Sequence, residues 1–362
     1  MGAKTGIEWT DATWNPLEGC SPVSAGCKNC YASGVARRFG GSGQHYEGLV
    51  RINADGEPTN KWNGNVRLAE KHLRDPLKWK PVVEHAADCL RAGDKGNEYC
   101  GCSRPRRIFV NSMSDLFHES VPDEWIDKIL AVIALCPQHI FQVLTKRPER
   151  MLKYFTGKHL NPQKWPAEKY DVQTCVRLSL GGLLKGKTLS NGRPDVMRFF
   201  KSGQADRYGE ADSRIFKEWP LKNVWLGVSL ENQAMAEDRI PLLLQTPAAL
   251  RFISAEPLLG RVDFWKVSVP ARWSPECGGY AGWDWNDFNG ETPGGIDWVI
   301  CGGESGPGAR PMHPDWARGL RDQCKAAGVP FFMKQMGSVY GPNKGHDIPA
   351  DLNVKAFPAV RP

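Results

Sequence analysis

Three cysteines lie close together near the start of the chain, in the stretch GCSPVSAGCKNCYA from Gly19 to Ala32. Cys20, Cys27 and Cys30 follow a C-x6-C-x2-C spacing among Gly, Pro and Ser. Thiolates are both nucleophiles and metal ligands, so such a triad points to metal or redox chemistry. The spacing alone leaves three readings open. A structural zinc site normally takes four protein ligands, so a distant His or Cys must complete it. A disulfide leaves one thiol over. An iron–sulfur cluster is held by Cys thiolates, and three of them on a four-iron cluster leave one iron open to a substrate or cofactor.

The 362 residues contain 11 cysteines. The N-terminus, MGAKTGIEWTDATWN, has no apolar signal core, and no apolar run is long enough to cross a bilayer. A cytoplasmic protein with reduced thiols is expected, with no membrane partner. Cys136, Cys175, Cys301 and Cys324 are isolated and should pack as small apolar residues. His85, Cys89, Cys100 and Cys102 form a second group, read as a small zinc site, ligands of a second cluster, or free thiols in a loop.

Other reactive groups recur after apolar segments. Ser112, Ser114, Asp115, His118 and Glu119 follow 106–111, and Thr145, Lys146 and Arg147 follow 139–144. Ser229, Glu231 and Asn232 follow 223–228; Ser254 and Glu256 follow 250–253. Glu304 and Ser305 follow 296–301, and Lys334 and Gln335 follow 329–333. Loops are polar in general, so one such end carries little weight. Six in succession fit a ring around a pocket at the C-terminal face of a barrel. The two glycines before Glu304 would let backbone approach a ligand closely.

The elements that must position these groups alternate. Apolar strands are read at 106–111, 139–145, 223–230, 250–256, 296–303 and 329–335, with a seventh near 6–10. Helical spacing follows at 122–136, near 234–246 and near 314–327, so a parallel sheet or barrel is expected. Residues 81–105, 156–220 and 262–295 break the rhythm and are read as insertions on one scaffold spanning 1–340, with 341–362 as a C-terminal tail. Lys and Arg number 47 against 40 Asp and Glu, a mildly basic excess of 7 that permits a nucleic-acid partner. Residues 61–80 carry six basic residues against two acidic ones, with Trp62 and Trp79. They suit phosphates and unstacked bases, or form an ordinary solvated helix face. SRPRR (103–107) and Arg37–Arg38 add charge. There is no P-loop, and no G-x-G-x-x-G follows a strand.

The blocks IEWTDATWNPLEGC, GCKNCYA, FVNSMSDLFHE, FQVLTKRPERM, VWLGVSLENQ, FISAEPLLG, DWVICGGESGPGARP and FFMKQMG together resemble the phage Gp37/Gp68 family, across about 7–340. That family in turn looks like a divergent branch of the radical S-adenosylmethionine (SAM) enzymes. The resemblance implies a partial (β/α)6 barrel with inserted loops and a [4Fe–4S] cluster on Cys20, Cys27 and Cys30. It also implies SAM at the open iron, cleaved to a 5′-deoxyadenosyl radical, and an electron-donor protein. Two departures stand out. The cysteine loop is three residues longer than the common C-x3-C-x2-C, with Asn29 before the third cysteine and Tyr31 after it. The GGE stretch comes late rather than after the second strand. On this resemblance Ser112, Ser114 and Asp115 are candidates for the SAM amine, and Lys146 or Arg147 for its carboxylate. Ser229, Glu231 and Asn232 are candidates for the ribose; Lys146, Glu256 and Glu304 are the candidate catalytic residues. The phage setting and the basic segment imply a nucleic acid or modified base as substrate, in the host cell cytoplasm. The alternative is a zinc-stabilised, non-catalytic nucleic-acid-binding or adaptor protein.

Overall fold

The computed structural model describes residues 5–84, 103–160, 169–171, 219–268, 272–274, 279–281, 295–339 and 347–359, with Gln173, Val176 and Ser179. The protein is a mixed α/β fold on a seven-stranded parallel sheet. The strands are β1 (Ala12–Trp14), β2 (Arg106–Val110), β3 (His139–Thr145), β4 (Val224–Ser229), β5 (Leu250–Ala255), β6 (Trp298–Gly302) and β7 (Phe331–Gln335). They lie side by side in chain order, and every neighbouring pair is parallel. The first strand sits later than the sequence pattern suggests. Residues 8–9 form a turn, and pairing begins at Ala12 opposite Ile108. The reason is Asp11: its backbone N–H donates to the Arg107 carbonyl, and its carboxylate accepts from Arg104 and Arg107.

Alternation within the strands separates two cores. Ile108, Val110, Phe141, Val143, Leu226, Val228, Ile253 and Val299 face the helices. Of the helices, α1 (Tyr31–Arg38) packs in a separate cluster with Tyr46, Leu49, Val50 and Trp62. The others, α2 (Asp123–Ala134), α3 (Pro148–Thr156), α4 (Gln233–Gln245) and α5 (Pro314–Ala326), cover this face. Helix α2 forms as its apolar spacing predicts, with Ile126, Ile129, Leu130 and Ile133 buried. Helices α1 and α3 are too short to show that spacing in the sequence.

Residues of the other parity, Phe109, Ile140, Trp225, Phe252, Trp298, Ile300 and Phe332, form a second cluster with Trp9. The ring of Trp9, just before β1, lies 6.3 Å from that of Trp298 on β6. Five strand spacings of a flat sheet would separate those two strands by about 24 Å. The sheet is therefore strongly curled into a half-barrel, and its concave face is filled by aromatic rings. β1 and β7 do not pair with each other. The chain ends pack there: Lys355 pairs with Glu8, and Phe357 stacks between Trp298 and Phe332 with the Arg107 guanidinium 3.9 Å over its ring.

The segment 61–80 contains no α-helix. It holds the end of an antiparallel ribbon (Pro58–Trp62, paired with Val50–Ile52), a short pairing of Arg67–Leu68 to Leu17–Glu18, and two 3₁₀ turns. Trp62 is buried beside Tyr46, and Trp79 packs on the main core. Trp62 also lines the cavity described below, and Trp79 is half-buried. Cys136, Cys301 and Cys324 are buried in the core; Cys175 lies outside the described residues. The ends of the 81–105 segment pair with each other, Val82–Val83 against Ser103–Arg104. His85, Cys89, Cys100 and Cys102 lie outside the described residues. Among the described residues no helix is long and apolar enough to cross a membrane.

Candidate functional site

The cysteine loop leaves the end of β1, touches Ser114 beyond β2 through a bridge at Gly19, and returns as α1. It roofs a cavity of about 450 Å³ at the C-terminal ends of the strands. Cys20, Cys27 and Cys30 all line this cavity. The volume lies within the range of small-molecule sites, about 300–1,000 Å³. Trp9, Phe109 and Leu144 line its apolar side. Its polar wall comes from strand ends: Asn111 and Ser112 after β2, Lys146 after β3, Ser229 on β4, Ser254 and Glu256 at β5, Lys334 and Gln335 on β7.

Three clamps from different strands hold the loop. The first is Arg147 after β3, with a side chain only 4% exposed. Its Nε donates to both Glu119 oxygens at 2.9 Å, its Nη1 to Asp115 at 3.0 Å, and its Nη2 to the Ser21 carbonyl and hydroxyl at 2.9 Å. Nη1 also lies 3.8 Å from Cys20 Sγ. Burial opposes its charge, but Asp115, Cys20 and Glu119 together outweigh that and raise the guanidinium pKa. His118 faces the same corner: Nδ1 accepts from the Ser120 backbone, so Nε2 donates to Ser21 Oγ at 2.8 Å. Burial and Arg147 hold its pKa below the usual value, which keeps that neutral tautomer.

The second clamp is Glu231 after β4, fully buried. Ser24 donates to it at 2.6 Å, and Lys146 Nζ and Arg239 Nη1 lie 3.6 and 3.4 Å away. Gly26 packs directly on this carboxylate; a Cβ there would stand 2.3 Å from Oε1. The third clamp is Glu304 after β6. It accepts from Asn29 Nδ2 at 2.9 Å and from Arg310 through its backbone N–H and guanidinium, while Arg310 also donates to the Ala25 carbonyl. Burial raises the Glu304 pKa, but the hydrogen bonds from Arg310 and Asn29 outweigh it and hold the carboxyl below its usual range.

The remaining candidates fall into two groups. Ser112 and Ser114 donate to Asn15 and to the Leu17 carbonyl. Asp115 accepts from Thr145, the Lys146 backbone, the Phe117 backbone and Arg147. Asn232 caps α4 by accepting from the Met235 backbone, and neither it nor Glu231 lines the cavity. These side chains build the wall and the loop. Lys146, Ser229 and Glu256 line the cavity too and are linked to one another there. Lys146 Nζ donates to Ser229 Oγ, Ser229 donates to the Glu256 carbonyl, and Lys334 Nζ donates to Glu256 Oε1. The glycines before Glu304 do permit a close approach, but to protein: a Cβ on Gly303 would meet the Met336 carbonyl oxygen at 2.2 Å.

Sequence reasoning missed Ser21, Ser24, Gly26, Asn29 and Arg310 as functional residues. The first four sit between the cysteines, where only the three thiols attracted attention. Arg310 follows Glu304 by six residues in a Gly/Pro loop, and such spacing on a loop carries no pairing signal.

Among the described residues no group of three or more His, Cys, Asp or Glu side chains is disposed to hold a single metal ion. A mononuclear tetrahedral zinc would need its sulfurs about 3.8 Å apart, given Zn–S of ~2.3 Å. The three thiols face one cavity without closing around one ion. Burial first, then the Asp115 carboxylate, pushes the Cys20 thiol up to about 12, against the lowering effect of Arg147. Without a metal, Cys20 is a thiol; a metal that binds there displaces its proton.

A family model described as a protein of unknown function (DUF5131) matches residues 4–351. The chain belongs to the DUF5131 family. The match takes in the cysteine loop, all seven strands of the sheet and every clamp residue. No curated protein and no solved structure matches the chain.

Proposed function

We propose that this DUF5131 protein is a radical SAM-type iron–sulfur enzyme, built on a divergent partial (β/α)6 barrel, that acts on a nucleic-acid base. One observation carries the reading: three thiols on the loop after the first strand share a cavity with polar strand ends. The donor set fits the cofactor. Three cysteine sulfurs that face a common space, and are not closed around one ion, suit a cluster better than a single zinc. Cys20, Cys27 and Cys30 would hold the cluster and leave one iron open. When bound, the cluster and SAM supply reductive cleavage of a sulfonium bond and a hydrogen-abstracting radical.

The chain's own residues bind and orient. Lys146 is a cation that lines the cavity with Ser229 beside it, so it is assigned the SAM carboxylate. Arg147 is already bonded to Glu119, Asp115 and Ser21. Glu256 is assigned the amine, because Asp115 has its oxygens engaged by Thr145, Lys146 and Arg147. Ser229 and Ser254 remain for ribose hydroxyls. Lys334, paired with Glu256, adds a second lysine to the cavity lining. The apolar wall of Trp9, Phe109 and Leu144 excludes water, which protects radical chemistry from solvent. A nucleic-acid substrate is supported by the exposed Arg37 and Arg38 on α1, whose first residue, Tyr31, lines the cavity and is half exposed.

The test is metal and sulfide analysis of anaerobically purified protein, followed by assay of 5′-deoxyadenosine formation with and without DNA. About four irons and four sulfides per chain, and DNA-stimulated 5′-deoxyadenosine, are expected. Zinc without iron would overturn the reading in favour of a zinc-stabilised binding protein. Iron without SAM cleavage would separate the cluster from the radical activity.

A further inference from the structure

On the iron–sulfur reading above, we propose that Arg147 sets the reduction potential of the bound cluster, as a positioning residue that acts through the Cys20 sulfur. Nη1 of Arg147 lies 3.8 Å from Cys20 Sγ. The other contact to a cysteine sulfur from a side chain of the loop is neutral: Ser24 Oγ lies 4.0 Å from Cys27 Sγ. The three ligands are thus unequal, and one of them faces a guanidinium.

That guanidinium cannot swing away. Glu119, Asp115 and Ser21 hold its remaining N–H groups, and its side chain is 4% exposed. Burial matters because charges are weakly screened away from water. Cluster potentials respond to hydrogen bonds on sulfur and to nearby charge. Reduction moves one electron from an external low-potential donor (dithionite in the assay, an electron-donor protein in the cell) onto the cluster. No bond forms or breaks. The added negative charge is stabilised by Arg147 and opposed by Asp115 and Glu119. His118, in the same corner, is neutral and contributes no net charge. Removing the cation and removing an anion must therefore shift the potential in opposite directions. A purely structural role for Arg147 predicts no such sign reversal.

The experiment uses the full chain, reconstituted anaerobically with iron and sulfide and titrated with dithionite by electron paramagnetic resonance, without SAM. Arg147→Gln should lower the midpoint by at least tenfold in the reduction equilibrium, 59 mV for a one-electron couple. Glu119→Gln removes a largely exposed carboxylate and should leave the fold intact. It should raise the midpoint by about threefold, ~28 mV by the same constant. Unchanged potentials, or shifts of the same sign, in variants that retain iron would overturn the assignment of Arg147 while leaving the iron–sulfur reading intact. If Arg147→Gln does not fold, an unshifted Glu119→Gln protein overturns it equally. Wild-type protein that retains no iron overturns the iron–sulfur reading, and the assignment with it.

Discussion

Gly26 shows how much of the site rests on one missing methyl group. Its neighbours fit the Glu231 carboxylate so closely that a Cβ would stand 2.3 Å from Oε1 and 2.6 Å from Cγ. Glu231 is also held by Arg239 and Ser24, so it cannot simply retreat. Gly26→Ala should push the loop outward and cost about 1–3 kcal/mol, typical of overpacking. The expected result is a lower denaturation midpoint and, on the proposed iron–sulfur function, sharply reduced iron retention. Normal iron binding in a stable variant would show that the loop adapts. Cys27→Ala is the complementary change: it removes a thiol with little packing loss, so the chain should fold normally yet bind no cluster. Full iron retention in that variant would rule out Cys27 as a ligand.

At the scale of elements, the join between β1 and β2 depends on Asp11. Its carboxylate accepts from the Arg107 backbone at 2.8 Å and from both Arg104 and Arg107 side chains. Burial opposes the charge, but these bonds outweigh it and hold the carboxyl well below the usual range. A depressed carboxyl pKa stabilises the fold above the unfolded value of about 3.9, and the benefit fades as pH falls through the folded value. Asp11→Asn should therefore cost about 1.5–3 kcal/mol at pH 7, the worth of charge-assisted hydrogen bonds. The gap to wild type should narrow as the pH drops below about 4. Urea midpoints of both proteins across that range test this; a constant gap would mean that Asp11 acts through shape and not charge. Because β1 carries the cysteine loop at its end, the same variant should loosen the loop as well.

Across the whole molecule, the curl of the sheet brings its first and last strands within reach of the chain ends. Trp298 sits at the centre of the concave cluster, with ring contacts to Trp9, Trp225, Phe252 and Phe332. Its indole N–H donates to the Ala356 carbonyl, which ties the C-terminal segment to the same core. Phe357→Ala removes a ring 5.4 Å from Trp298 and 5.2 Å from Phe332 and leaves Arg107 without its stacking partner. A loss of about 2–3 kcal/mol is expected, below the ~3–5 of a fully buried Phe because this ring is partly exposed. Thermal unfolding measures it. A loss under 0.5 kcal/mol would show that the segment contributes little to closing the half-barrel.

The sequence by itself determined the parallel series, because apolar runs of strand length alternate with helical spacing and end in polar residues. It also put Cys20, Cys27 and Cys30 close together in the chain, and all three line one cavity. It did not determine β1: three residues are too few for a period, and Asp11 pairing with Arg104 and Arg107 crosses about ninety residues. Nor did it show which polar strand ends also hold the loop. Asp115, Glu231, Glu304 and Arg147 look in sequence like Lys146, Ser229 and Glu256, polar residues at strand ends. Only the tertiary structure showed it: Asp115, Arg147 and Glu304 line the cavity and hold the loop at once, while Glu231 holds the loop without lining the cavity, because the partners a strand-end side chain meets come from distant segments.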